Sequence, residues 1–198
     1  MSQSSGLRVQ AGKWKGRAIP IPAPIKGHSH FTPAIVKKSV FSILEGLQLD
    51  GSILFSESVF VDLFAGSGQM GVEALSRGFA KSVLVELTNE RFGELVQLAK
   101  TLGENCVLHR KDSLRVDPKI FLKYDPKSVV VYIDPPYTFW TPDASKIKNY
   151  VESLLEKSSI PMYVLVQGPD KPIVEDWESR EFGSSKLYIL KNEMWNVL

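Results

Sequence analysis

The sequence predicts a doubly wound, mainly parallel α/β sheet, and three observations predict it. Four short apolar runs, at residues 59–63, 83–86, 106–109 and 129–133, are rich in β-branched residues without polar alternation, as strands buried on both faces are. Helical stretches at residues 71–77, 89–102 and 144–157 alternate with them, which is the βαβ rhythm of a parallel sheet. A glycine-rich turn follows the first run directly, at the carboxyl edge where open α/β sheets bind ligands.

The elements follow in chain order. Residues 7–20 alternate in polarity and carry Gly12 and Gly16 where strands would turn, so an N-terminal hairpin is expected. Residues 20–24, Pro-Ile-Pro-Ala-Pro, read as an extended connector. Thr32-Pro33 reads as a cap and first-turn proline, opening a helix to about Leu44. The apolar positions of that helix, Val36, Val40, Phe41, Ile43 and Leu44, recur at helical spacing and leave Lys37 and Lys38 to face elsewhere. Residues 162–166 supply a fifth central strand. Residues 178–182 and 186–191, separated by Gly183-Ser184-Ser185, read as a closing antiparallel hairpin, bringing the sheet to seven strands. At 198 residues one domain is the default: residues 1–48 as a basic extension without independent folding, and 49–198 as the main domain.

Composition narrows the classes. No apolar run approaches the roughly 18 residues of a membrane span, and Met1–Ser5 lacks the order of a secretory signal. A cytoplasmic chain with no membrane partner is expected, and a monomer is the default. Cys106 is the only cysteine, so neither an intrachain disulfide nor a cysteine-built metal site is available; a buried strand position suits it. His28, His30 and His109 lack metal-ligand spacing, and no metal is expected. Trp177 and Trp195 read as packing residues.

The net charge of +2 conceals an asymmetry. Before Glu45 the chain has seven basic side chains, Arg8, Lys13, Lys15, Arg17, Lys26, Lys37 and Lys38, and no acid; the remainder carries 17 basic and 22 acidic residues. A basic segment at one end attracts a polyanion by counterion release. Arg8, Lys13, Trp14, Lys15 and Arg17 are therefore candidate nucleic-acid contacts.

Two motifs carry chemistry. Asp62-Leu63-Phe64-Ala65-Gly66-Ser67-Gly68-Gln69-Met70-Gly71 combines a strand end with a G-x-G-x-x-G turn opening a helix, and Glu86 closes the next strand where a ribose-binding carboxylate belongs. These features suit a dinucleotide and S-adenosylmethionine equally, since both contain adenosine. The second motif, Asp134-Pro135-Pro136-Tyr137, follows the strongest apolar strand. The Asp134 carboxylate and Pro135 carbonyl are acceptors only, and Pro136 removes a backbone donor between them and Tyr137. Such a site holds an amine by its hydrogens. An exocyclic base amine is a poor nucleophile, because its lone pair is delocalised into the ring. Accepting both N–H bonds turns that lone pair toward an activated methyl and stabilises the charge that develops on nitrogen. Tyr137 offers a ring for base stacking, with Phe139 and Trp140 as neighbouring apolar surface.

These motifs resemble those of amino-group methyltransferases. Residues 8–17, Thr32, and the helix through residues 41–44 narrow the resemblance to the RsmD-type family, small-subunit ribosomal RNA guanine-N2 methyltransferases, over nearly the whole chain. The resemblance implies a Rossmann-like methyltransferase sheet, S-adenosyl-L-methionine as cofactor with S-adenosyl-L-homocysteine as product, and 16S ribosomal RNA or an assembling small subunit as partner. It implies that Asp134 and Pro135 hold the guanine amine while Tyr137 stacks on the base. Glu86 binds the cofactor ribose, Asp112 and Ser113 lie beside the adenine, and Thr32, Asp62, Ala65, Gly66, Ser67, Gly68 and Leu87 complete the cofactor site. The chain departs from the family pattern in having His30-Phe31 before Thr32 where Arg-Pro is usual, Lys38 for a glutamate, and Thr88 for an acid. Three other readings remain: an N6-adenine methyltransferase using the same Asp-Pro-Pro-Tyr logic, a nicotinamide-dependent oxidoreductase, and a cofactor-binding RNA factor without catalysis.

Overall fold

Strand burial on both faces is what the sheet delivers. In a computed structural model describing residues 7–20, 32–140, 144–169, 174, 177–182 and 185–192, the apolar runs form the centre of one seven-stranded sheet. The strands are β1 (Ser58–Asp62), β2 (Lys81–Val85), β3 (Cys106–His109), β4 (Ser128–Ile133), β5 (Met162–Pro169), β6 (Ser179–Phe182) and β7 (Ser185–Lys191), in the order β3-β2-β1-β4-β5-β7-β6. The first five are parallel to their neighbours; β7 runs antiparallel to β5, and β6 to β7. The expected fold class and the closing hairpin are present. Apart from Pro20, the proline connector falls outside the described residues, as do His28, His30, Phe31, Gly183, Ser184 and Trp195.

Alternation along the strands sorts the core into two layers. Val59, Val61, Val129, Val131, Val164 and Val166 face one way, onto Ile147, Val151 and Leu154 of α5 (Ser145–Lys157). Phe60, Val130, Tyr132 and Leu165 face the other way, onto Val36, Val40, Phe41 and Leu44 of α1 (Ala34–Leu49) and Met70 and Ala74 of α2 (Gln69–Arg77). Two further helices, α3 (Asn89–Lys100) and the short α4 (Lys119–Leu122), complete the succession; α4 carries no clear signal in the sequence. Cys106 is buried in β3, and Trp177 packs edge-on against Tyr188, both as expected. Among the described residues no helix is long and apolar enough to cross a membrane.

Three local expectations need correction. The N-terminal hairpin has the expected reversal, with cross-hairpin bonds donated by Val9, Gly16 and Ile19, but among the described residues it forms one antiparallel bridge, Arg8 to Ala18, because the backbone N–H groups of Gln10, Ala11, Lys13 and Trp14 turn to α2. Thr32 does not cap α1: Pro33 occupies the N-cap position without a side-chain cap, and the helix runs past Leu44 to Leu49. Lys37 does not face solvent; it is 2 % exposed, its Nζ lies 3.2 Å from Glu73 Oε2, and it donates to the Arg8 carbonyl at 2.7 Å.

Glu73 also explains how residues 7–20 are held. Its carboxylate accepts the backbone N–H groups of Gln10 at 2.8 Å and Ala11 at 3.0 Å, and Arg77 Nε at 2.9 Å. Next to it Gly12, at φ +81°, passes so close to α2 that a Cβ there would lie 1.9 Å from the Ser76 carbonyl oxygen. Lys13 donates its backbone N–H to that oxygen, and Trp14 donates its own to the Ser76 hydroxyl. Val9 and Ile19 then enter an apolar cluster with Val72 and Leu75. The basic arm is docked on the helix that begins at the glycine turn.

Candidate active site

A cavity of about 600 Å³ opens along the carboxyl ends of β1, β2 and β4 and extends to β5, a size typical of small-molecule and cofactor sites. Its near wall is the glycine turn. Asp62 ends β1, Ala65 donates to the Val85 carbonyl at 3.0 Å, and Gly68 caps α2 in the left-handed region at φ +74°. A Cβ on Gly68 would approach Leu95 and Leu98 to 2.8 and 2.9 Å, so glycine meets both a conformational and a packing demand there. Ser67 and Ala65 line the cavity beside it.

Glu86 sits one residue beyond β2. Its carboxylate accepts the backbone N–H of Gly66 at 3.1 Å and of Thr88 at 2.8 Å, which fixes its orientation; a carboxylate has roughly four acceptor positions, so capacity remains for ligand hydroxyls. Leu87 is exposed at the rim. Asp112 accepts from the Leu114 N–H at 3.1 Å and caps a short turn. Ser113, also on the wall, commits its hydroxyl to the Leu63 carbonyl.

The opposite wall is built by Asp134-Pro135-Pro136, directly after β4. Asp134 Oδ2 accepts the Thr32 hydroxyl at 2.8 Å, which is where the expected cap hydroxyl goes. Burial pushes the Asp134 carboxyl up to about 6, opposed by hydrogen bonds from the Thr32 and Tyr132 hydroxyls. Burial also drives Asp62 well above the ordinary carboxylate range, reinforced by the charge of Asp134. With Glu86 and Asp112, four carboxyl groups line one cavity, an electrostatic setting that a bound cation relieves. Pro135 is buried, and among the described residues no hydrogen bond reaches its carbonyl, whereas the Pro136 carbonyl accepts from Phe139 at 2.9 Å. Asp134 and Pro135 both line the cavity wall.

Tyr137 opens a 3-10 turn, Tyr137–Phe139, and is 55 % exposed at the cavity mouth, an accessible ring for stacking. Phe139 packs edge-on against Phe64 at 5.4 Å. Trp140 departs from the expectation of open apolar surface: it is buried among core residues and packs near Tyr188, forming the cavity floor rather than a platform. On the arm, Lys13 Nζ lies 4.4 Å and the Arg17 guanidinium 5.3 Å from the Trp14 ring. Arg17 also donates to Thr101 at 2.8 Å, and Arg8 to the Gly16 carbonyl at 3.0 Å; Lys15 is exposed. The Gln10 side chain donates to the Ala34 carbonyl at 2.9 Å, which joins the arm to the start of α1 beside Thr32 and Pro33 of the cavity wall.

Four lining residues were not singled out from the sequence. Tyr132 and Gln167 meet through a 2.6 Å hydrogen bond from the phenol to Gln167 Oε1. Gln69 donates to the Thr32 carbonyl at 3.1 Å, and Arg91 is a buried cation at the rim, 3.3 Å from Glu94. The only sequence signal for the first pair is a polar group inside or just beyond an apolar strand run. Among the described residues no group of three or more His, Cys, Asp or Glu is placed to hold a metal ion.

A family model described as "Conserved hypothetical protein 95" matches residues 7–190. The chain is 35 % identical over 105 residues to an uncharacterized methylase of Rickettsia prowazekii, an alignment covering 51 % of this chain and 43 % of that one. It is 29 % identical over 137 residues to ribosomal RNA small subunit methyltransferase D of Escherichia coli, covering 69 % and 63 % respectively. The chain thus spans less than two thirds of either relative's length. Its fold is similar to that of an RNA methyltransferase from Salinibacter ruber in complex with S-adenosyl-L-homocysteine, with a TM-score of 0.55 at 16 % identity, covering 83 % and 95 %.

Proposed function

From its place in the RsmD-type family, the one described as conserved hypothetical protein 95, to which the chain belongs, we propose that it transfers a methyl group from S-adenosylmethionine to the N2 amine of a guanine in small-subunit ribosomal RNA. The observation that carries this reading is the single cavity joining the glycine turn and Glu86 to Asp134 and Pro135. The names of the E. coli relative and of the S. ruber structure support the RNA substrate class and the cofactor.

The residues present fit that cofactor. Glu86, held by two backbone donors, accepts the ribose hydroxyls; Asp112 and Leu87 border the adenine; Thr32, Ala65, Ser67 and Gly68 close around the remainder. When bound, the cofactor supplies an electrophilic methyl on a cationic sulfur. Asp62 and Asp134 offset that cation. Asp134 and the Pro135 carbonyl accept the two amine hydrogens and turn the nitrogen lone pair toward the methyl. Asp134 would take the proton that the amine nitrogen sheds on methylation, a task its raised pKa suits. Tyr137 stacks on the base, which an unpaired RNA segment presents without duplex opening. Residues 1–48 act as an RNA-contacting extension of a methyltransferase domain at 49–198.

The test is transfer of radiolabelled methyl from S-adenosylmethionine to naked small-subunit rRNA, assembled small subunits and duplex DNA, with nucleoside analysis of the product. Labelled N2-methylguanosine from RNA is the expected result. Label in N6-methyladenine instead, or cofactor binding without label, would replace the reading.

Two further results are expected. Because the Asp134 pKa is raised in the folded protein to about 6 from 3.8, its contribution to stability is full below about 3.8 and is lost as pH rises through about 6. A bound cation favours the ionised form and reverses this. Affinity for S-adenosylmethionine therefore rises a few-fold from about pH 5 to about 7.5, as the cation lowers that pKa by a fraction of a unit, while affinity for S-adenosylhomocysteine, with a neutral sulfur, changes little. Parallel calorimetric curves for the two ligands would remove the pairing. The second result concerns RNA: changing Lys13, Lys15 and Arg17 to alanine flattens the log–log salt dependence of binding by about 2–3 in slope, at roughly 0.7–0.9 per lost phosphate contact. Changing Lys37 leaves the salt slope where it was, because that ammonium is buried against Glu73. An unchanged slope in the triple variant returns the arm to a solvated role.

A further inference from the structure

Gln167 is nine-tenths buried, and its amide lies on the cavity wall. The pairing of Ile133 with Val166 in the parallel β4–β5 ladder sets Gln167 level with Asp134. Because β5 lies across β4 from β1 and its glycine turn, this position belongs to the substrate half of the cavity. Gln167 Oε1 accepts from the Tyr132 hydroxyl at 2.6 Å, and that phenol is itself almost fully buried, which leaves the NH₂ as the unengaged end of the amide. Gln167 Nε2 makes no hydrogen bond among the described residues. A primary amide so held offers its NH₂ donors to a ligand in the cavity.

Guanine offers one complementary atom next to its reacting amine. Of the two ring nitrogens flanking N2, N1 carries a hydrogen and N3 is an acceptor. We infer that Gln167 is a second base contact, donating an amide hydrogen to guanine N3 and thereby fixing the rotation of the ring that aims N2 at Asp134 and Pro135. The inference rests on the base-amine reading above and deepens it. Tyr132 acts through Gln167 as a positioning residue.

The experiment uses the full chain and the RNA labelled in the transfer assay, prepared with guanosine or with 3-deazaguanosine at the methylated position, the latter having C–H in place of N3. For the unaltered protein, kcat/KM is expected to fall about tenfold or more on the 3-deaza RNA. For Gln167→Ala the two RNAs are used equally, at about the lower rate. Gln167→Glu keeps an oxygen for Tyr132 but removes the donor, and is expected to behave as Gln167→Ala does. Cofactor affinity, set at β1 and β2, stays unchanged in both variants and reports that they are folded. Equal use of both RNAs by the unaltered protein overturns the contact, as does a 3-deaza penalty that persists in Gln167→Ala. Absence of label in any guanine, with the unaltered protein on natural RNA, overturns the base-amine reading itself and the contact with it.

Discussion

Asp134→Asn is expected to reduce methyl transfer by about 10³-fold or more while cofactor affinity stays within a few-fold. The magnitude is that of removing a preorganised group aimed at charge developing in the transition state. Asparagine preserves size but exchanges a carboxylate oxygen for an NH₂ group, which either confronts the amine hydrogens or turns to confront the Thr32 hydroxyl that now donates to Oδ2. Cofactor binding is spared because Glu86 carries the ribose contacts and Asp62 remains to offset the cation. Asp134→Ala serves as the companion, removing the contact without introducing a donor. The pH profile adds a second readout: with the carboxyl at about 6, transfer by the unaltered protein falls below that pH, whereas the residual transfer of Asp134→Asn has no such inflection. Equal loss of transfer and cofactor affinity, or an unchanged acid limb in the variant, would remove Asp134 from the amine.

How far the sequence revealed this site depended on whether each residue acts through a local pattern. The glycine turn, Glu86 and Asp134-Pro135-Pro136-Tyr137 were legible because each sits at the end of an apolar strand run, and strand ends of an open parallel sheet converge on one edge. Boundaries were less legible: α1 continues to Leu49 through Gly46, which weakens a helix without ending it, and Leu47 extends its apolar face onto the core. Partners across the fold were not legible. Thr32 looked like a cap because Ser or Thr before proline usually is one, but Asp134, 102 positions away, claims its hydroxyl. Lys37 looked like surface because an ammonium usually is, and Glu73 overrides that from another helix. Tyr132 read as a member of an apolar strand and Gln167 fell just beyond one, and only the register of β4 on β5 brings their polar ends together at the cavity.

Glu73→Ala is expected to destabilise the protein by about 3–5 kcal/mol, the cost of breaking a buried ion pair from one side, and to weaken RNA binding although Glu73 is fully buried and touches no RNA. Both effects follow from one carboxylate serving four donors: Lys37 Nζ, Arg77 Nε and the backbone N–H groups of Gln10 and Ala11. Its loss leaves a buried ammonium uncompensated. Burial already lowers the Lys37 pKa, and the charge of Glu73 is the main influence opposing that. Its loss also unties the arm bearing Lys13, Trp14, Lys15 and Arg17 from α2, so RNA must order that arm at binding and affinity falls. The two consequences separate in the Lys37→Met background. There no ammonium is stranded, so Glu73→Ala costs markedly less by denaturant unfolding, and the difference is the coupling energy of the pair. The backbone donors of Gln10 and Ala11 stay unsatisfied in either background, so the loss of RNA affinity remains. Strictly additive stability changes would contradict the ion pair, and RNA affinity restored by Lys37→Met would contradict the anchoring of the arm by Glu73.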